Sequence, residues 1–174
     1  MRRPLALSLL LLLLLGACGD DDGKPAAKTT QAKTDEEPSP SAQRKALKDT
    51  STKPEIPKPT GSPPRRLVKE DIVKGKGPAA KPGDTLTVQY VGVTFSTGAE
   101  FDASWDTGQP FDVPLGAGRV IQGWDKGLVG IRKGGRRMLT IPPELAYGTD
   151  GYPPTIGPNE TLVFVVDAVA VTPG

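Results

Sequence analysis

Every aromatic residue of this 174-residue chain lies between Tyr90 and Phe164. Aromatic rings supply much of the area a small core buries, so their confinement fixes where folding can occur. From Gly19 to Pro64 the only large apolar residues are Leu47 and Ile56, among eight prolines and many Lys, Thr, Ser, Asp and Glu residues. Such a stretch offers too little apolar surface to offset its ordering entropy. The pattern predicts a disordered linker over 18–64 and one folded domain over 65–174, long enough for a single core.

The amino terminus reads as a leader. Arg2-Arg3 is a short basic segment, and Leu5–Leu15 is an apolar stretch too short to span a bilayer as a helix. It ends in Leu15-Gly16-Ala17-Cys18, which resembles a bacterial lipobox. That resemblance implies a signal peptide over 1–17 and lipidation of Cys18, with two or three acyl chains giving stable membrane attachment. The protein is then expected in the bacterial cell envelope, lipid-anchored, on the extracytoplasmic face. Asp20-Asp21-Asp22 reads as a solvated spacer rather than a metal site.

Charge and composition remove several function classes. Residues 65–174 carry twelve basic and twelve acidic side chains, without the one-sided positive field that nucleic acid needs. No histidine is present, which removes His-dependent triads and the usual general base near neutral pH. The one cysteine, Cys18, is in the leader, so the domain has no thiol nucleophile or disulfide.

Strand patterns dominate the domain. Asp84–Val93 alternates, with Leu86, Val88 and Tyr90 on one face and Thr87 and Gln89 on the other. Thr161–Val171 is apolar on both faces, which predicts a central strand. Arg136–Ile141 and Phe111–Leu115 are shorter strands, and Leu67–Val73 is an edge strand. Gln122–Gly130, with Trp124, Leu128 and Val129 between glycines, predicts one short helix crossing the sheet. The expected class is α+β: a twisted, mainly antiparallel sheet half-wrapped around that helix.

Other chemistries have weaker support. Asp102 and Asp106 could form a carboxylate pair, but nothing else suits glycoside hydrolysis. Gly116-x-Gly118 is not followed by Gly-Lys-Ser/Thr, which argues against a phosphate loop. Arg132-Lys133-Gly134-Gly135-Arg136-Arg137 reads as a solvated basic hairpin turn.

Several apolar side chains sit beside turns, in colinear motifs. They are Val88-Gln89-Tyr90-Val91-Gly92, Gly98-x-Glu100-Phe101-Asp102-x-Ser104, Pro110-Phe111-x-Val113-x-Leu115-Gly116 and Val120-Ile121-x-Gly123-Trp124-Asp125-x-Gly127-Leu128. Lys133-Gly134-Gly135-x-Arg137, Ile141-Pro142-Pro143-Glu144-Leu145-Ala146-Tyr147-Gly148 and Ile156-Gly157-Pro158-Asn159-x-Thr161-Leu162-Val163-Phe164-x-Val166 follow. Together, over about 67–172, they closely resemble FKBP-type peptidyl-prolyl cis-trans isomerases.

The resemblance implies a cofactor-free, metal-free isomerase of X-Pro bonds, open to macrolide inhibitors. With the lipobox-like leader, its expected substrates are secreted or envelope polypeptides. The compact block shows no inserted flap or helical dimerisation segment and is expected to be monomeric. Asp102, Ile121, Trp124 and Tyr147 carry over as catalytic residues. Tyr90, Phe101, Phe111, Val120, Ile156 and Phe164 carry over as substrate-binding residues, with Trp124 as the pocket floor. Tyr147, through its hydroxyl, and Ile121, through its backbone N–H, are implied donors to a substrate carbonyl. The chain departs from familiar members at Thr107, where a basic residue is frequent, and at Arg119, Tyr152 and Thr155 on the rim. A proline-binding module with slow turnover and an anchored chaperone are the rival readings. Retention of Tyr90, Asp102, Trp124 and Tyr147 favours the enzyme.

Overall fold

The computed structural model describes residues 40–174. The expected signal peptide over 1–17, Cys18 and the Asp20–Asp22 run lie outside the described residues. Six strands form one sheet: β1 (Val68–Ala79), β2 (Thr85–Thr94), β3 (Glu100–Ala103), β4 (Phe111–Pro114), β5 (Arg132–Ile141) and β6 (Leu162–Thr172). Their order is β1-β5-β6-β2-β3, with β4 also paired to β2, and every pairing is antiparallel. Among the described residues, two short α-helices, α1 (Pro40–Ala46) and α2 (Gln122–Gly127), and two single 3-10 turns, Ser104–Asp106 and Pro143–Leu145, complete the regular structure. This is the α+β class the alternation predicts.

β6 is central because it can be buried on both sides. Residues 162–168 are all buried, and the strand lies between β5 and β2. Leu162, Phe164 and Val166 join Leu86, Val88, Leu139, Ile141, Trp124 and Leu128 in the main core, under α2. Alternation sends Val163 to the other face, where it packs with Val91, Val93 and Ala103.

The helix lies close on β5 because two of its residues lack a side chain. A Cβ on Gly123 would stand 2.7 Å from Ile141 Cδ1, and one on Gly127 would stand 2.8 Å from Leu139 Cδ1. Spaced four apart, both glycines face the sheet. Arg137 then fixes the helix end: its Nη1 donates to the carbonyls of Gly127 and Val129 at 2.8 and 2.9 Å, and its Nε pairs with Asp71 at 2.6 Å.

Two expectations need correction. The basic run 132–137 is the start of β5, not a solvated turn. Arg136 is fully buried and Arg137 nearly so, because each long side chain reaches carbonyl and carboxylate partners within the fold.

The expected free linker also ends earlier than 64. After α1, residues 47–60 form a strap across the outer face of the sheet. Arg136 donates to the carbonyls of Leu47, Asp49 and Thr52 at 3.0, 2.8 and 3.1 Å, while pairing with Asp167 at 2.5 and 2.7 Å. Leu47 is buried, and Ile56 packs with Phe95, Trp105 and Met138 on the outer-face cluster. A polar segment orders here because the domain supplies both the buried cation for its carbonyls and the apolar seats for its two large side chains. A cleft of about 1010 Å³ remains between the strap and the sheet, bordered by Ile72, Phe95, Met138 and Val163.

Candidate active site

Alternation along β2 turns Tyr90 to the inner face, and its antiparallel neighbour β6 presents Phe164 beside it. Trp124 enters from the first turn of α2, Phe101 from β3 and Phe111 from the start of β4. The five rings form one connected cluster. Trp124 meets Tyr90 and Phe164 edge-on, with centroids 5.1 and 5.2 Å apart. Phe101 stands edge-on to Phe164 at 5.4 Å, and Phe111 lies 6.2 Å from Tyr90 and 6.5 Å from Trp124. Edge-to-face contacts at these separations are the favoured geometry for aromatic rings.

Depth varies across the cluster. Trp124, Phe164 and Ile156 are buried and make the floor, with Trp124 only 4% exposed. Tyr90, Phe101, Val120 and Ile121 are half-buried walls packed against that core. Phe111 at 44% and Tyr147 at 37% form an exposed apolar rim. The predicted ring and aliphatic residues are therefore brought together in one cluster, from different strand ends and turns, with Tyr147 close enough to Asp102 to feel its charge.

Polar groups on the rim are few and directed. Tyr90 donates its hydroxyl to Asp102 Oδ2 at 2.6 Å. Burial, then that hydrogen bond, pushes the Tyr90 hydroxyl well above the usual tyrosine range. Burial first, then the Asp102 charge, also raises Tyr147. Both hydroxyls are thus neutral donors across the physiological range. Tyr147 is braced by Tyr152, whose ring lies 5.5 Å away at 35°. Ile121 caps α2 in an extended conformation (φ −58°, ψ 147°), and its N–H has no hydrogen-bond partner among the described residues.

The carboxylates and glycines that suggested other chemistry are otherwise engaged. Asp106 pairs with Lys53 and Asp102 holds Tyr90, which leaves no matched acid pair. The N–H groups of Gly116 and Gly118 donate to the Asp125 carboxylate at 2.9 and 3.0 Å. That helix side chain thereby pins the loop leading into Val120 and Ile121.

Two residues that the motifs did not mark out as site residues, Gly92 and Ser104, shape the cluster, and Tyr152, expected on the rim, lies beside it. A Cβ on Gly92 would lie 2.7 Å from both Phe101 Cζ and Phe164 Cε1, so only glycine admits these two rings. Ser104 Oγ accepts from the Tyr90 N–H at 2.9 Å and donates to Gln89 Oε1, tying the turn after β3 to β2. Tyr152, a rim position, extends the aromatic surface beyond Tyr147. Gly92 and Ser104 stood within the quoted motifs, but their roles need the third dimension.

Comparison with known proteins agrees with this geometry. The family model described as FKBP-type peptidyl-prolyl cis-trans isomerase matches residues 77–169. An FK506-binding protein of Streptomyces anulatus is 56% identical over 120 residues, covering 68% of this chain and 97% of that protein. A probable FK506-binding protein of Corynebacterium glutamicum is 48% identical over 118 residues, covering 68% of this chain and 98% of that one. Among solved structures, the crystal structure of AtFKBP13 superposes with a TM-score of 0.55 at 38% identity, covering 60% of this chain and 91% of that one.

Proposed function

The chain belongs to the FKBP-type peptidyl-prolyl cis-trans isomerases, and from that premise we propose how its own residues perform the reaction and where they do so. Rotation about an X-Pro amide must give up C–N resonance, across a barrier of ~18–20 kcal/mol. No bond breaks, and the two ground states differ by only about 0.5–1 kcal/mol. The catalyst has to favour the twisted amide over the planar one. The planar amide carries the larger dipole and loses more when it leaves water, so a dry apolar cup destabilises it selectively.

In this reading the proline ring rests on Trp124, between Tyr90, Phe101, Phe111 and Phe164, with Val120 and Ile156 closing the sides. The free N–H of Ile121 and the hydroxyl of Tyr147 donate to carbonyls flanking the proline and hold the twisted geometry. Asp102 keeps the Tyr90 ring turned into the cup through their 2.6 Å hydrogen bond. The observation that carries the proposal is the pairing of a buried ring floor with an unpartnered N–H and two tyrosines that stay protonated.

A prolyl-isomerisation assay on the full chain, beside Trp124→Ala, Asp102→Ala and Tyr147→Phe, tests these roles. Losses of kcat/KM in all three support them. A wild type no faster than its variants would leave only a proline-binding module. Two relatives are named for binding FK506, so we also assign this macrolide to the same cup, as a competitive inhibitor.

The lipobox-like Leu15-Gly16-Ala17-Cys18 supports attachment to an envelope membrane on its extracytoplasmic side, where the substrates are secreted and envelope polypeptides. Membrane retention that is unchanged in cells making Cys18→Ala would reject lipidation.

A further inference from the structure

The strap and the cup hold the same short segment from opposite sides. Residues 100–106 comprise β3 and the turn after it. Phe101 joins the ring cluster and Asp102 accepts from Tyr90. Ala103 and Trp105 face the other way, into the cluster that contains Ile56 of the strap. Glu100 and Asp106 bracket the segment, and one ammonium group bridges them: Lys53 Nζ lies 2.7 Å from Glu100 Oε1 and 2.6 Å from Asp106 Oδ1.

That bridge matters because β3 has little strand pairing of its own. It is four residues long, lies at the sheet edge and pairs only with β2, with a register irregularity between Gly92 and Val93. The strap carrying Lys53 is itself fixed. The fully buried Arg136 holds the carbonyls of Leu47, Asp49 and Thr52, so Lys53 follows directly after an anchored residue. Pro54 is buried immediately after it. The ammonium is thus presented from a rigid base, and its two carboxylate partners keep it charged.

We propose that Lys53 is a positioning residue for prolyl isomerisation, bridging Glu100 and Asp106 from the strap so that Phe101 and Asp102 stay set against the ring cluster. The proposal rests on the reading of that cluster as the isomerase site. Exposed ion pairs contribute little to global stability, so the effect of Lys53 falls on geometry. A small displacement of a wall residue is costly when catalysis depends on fit to a twisted amide.

The test compares kcat/KM of the full chain for a proline tetrapeptide at low and high salt, in wild type, Lys53→Ala, Lys53→Arg and Glu100→Gln/Asp106→Asn. At low salt Lys53→Ala is expected to lose about fivefold, the acid-pair variant to match it and Lys53→Arg to recover most of the activity. Wild type should approach Lys53→Ala near about 1 M salt, where exposed charges are screened. Amide exchange at Asp102 and Ala103 should quicken in Lys53→Ala while the thermal midpoint stays close to wild type. An active wild type matched by Lys53→Ala, or a loss that Lys53→Arg does not relieve and the acid-pair variant does not reproduce, overturns the positioning role alone. An inactive wild type overturns the isomerase reading beneath it.

Discussion

Gly92 sits against the tip of the Phe101 ring: a methyl group on its Cα would stand 2.7 Å from Phe101 Cζ. The same methyl would press on Phe164, which meets Phe101 edge-on. Phe164 cannot retreat, since it is buried against Trp124, so the half-buried Phe101 has to give way. Gly92→Ala is therefore expected to cost about 1–3 kcal/mol of stability through overpacking. Its kcat/KM should fall by more than its stability loss explains, because the displaced ring is a wall of the cup. Urea unfolding and the isomerisation assay on one preparation separate the two effects, and a fully active Gly92→Ala would show that Phe101 is not needed in place.

Arg136 is the strap's anchor and Asp167's only buried counter-charge among the described residues. Removing one partner of a buried pair typically costs about 3–5 kcal/mol, so Arg136→Leu should be strongly destabilised and its strap open to protease near 47–56. Burial already raises the Asp167 carboxyl, and loss of the cation raises it further. A carboxyl whose folded pKa exceeds its unfolded one binds more protons when folded, so stability falls as pH rises through the folded value. Arg136→Leu should consequently regain stability as pH is lowered from neutral towards the ordinary Asp range. A variant equally weak throughout would place the defect in packing alone.

Much of this was legible in the sequence because apolar alternation reports burial directly. Leu86-x-Val88-x-Tyr90 and the unbroken run from Leu162 identified β2 and the central β6, and the glycine-flanked Trp124 identified α2. β3 was not foreseen, since Glu100–Ala103 is too short to show a period. The strap was missed for a different reason. Composition over 18–64 averages to a polar coil, while docking depends on two apolar side chains and on backbone carbonyls that any sequence has. Arg136 and Arg137 look like surface charge in one dimension, and only the fold reveals the carbonyls they reach. The side chains that meet in the ring cluster each stand next to a turn in a long motif, which is why the motifs single them out before any fold is known.

The pH profile follows from the two rim tyrosines. With no histidine in the chain and both hydroxyls raised, neither rim tyrosine changes charge near neutrality. The isomerisation rate should be flat between about pH 6 and 9. Stability behaves differently in alkali. The folded tyrosines keep protons that the unfolded chain releases near about pH 10, so stability should decline as pH rises beyond that point. Tyr90→Phe removes one such group and should decline less steeply. A bell-shaped rate profile centred near neutrality would point to a titrating catalyst and against a purely conformational mechanism.

Asp125 holds the entrance to the cup by accepting from the N–H groups of Gly116 and Gly118. Without it, two loop donors lose their partner and the path into Val120 and Ile121 is no longer fixed to α2. Asp125→Ala should cost about 1–3 kcal/mol, since each hydrogen bond to a charged acceptor is worth more than a neutral one. Amide exchange at Gly116 and Gly118 should accelerate well beyond the global change. The loss in kcat/KM should fall mainly on kcat, because the Ile121 N–H is assigned to the twisted amide more than to the bound ground state. Asp125→Asn retains one acceptor oxygen and should lie between the two. If Asp125→Ala instead raises KM with kcat intact, the loop shapes binding only, and the Ile121 donor has no part in the rotation.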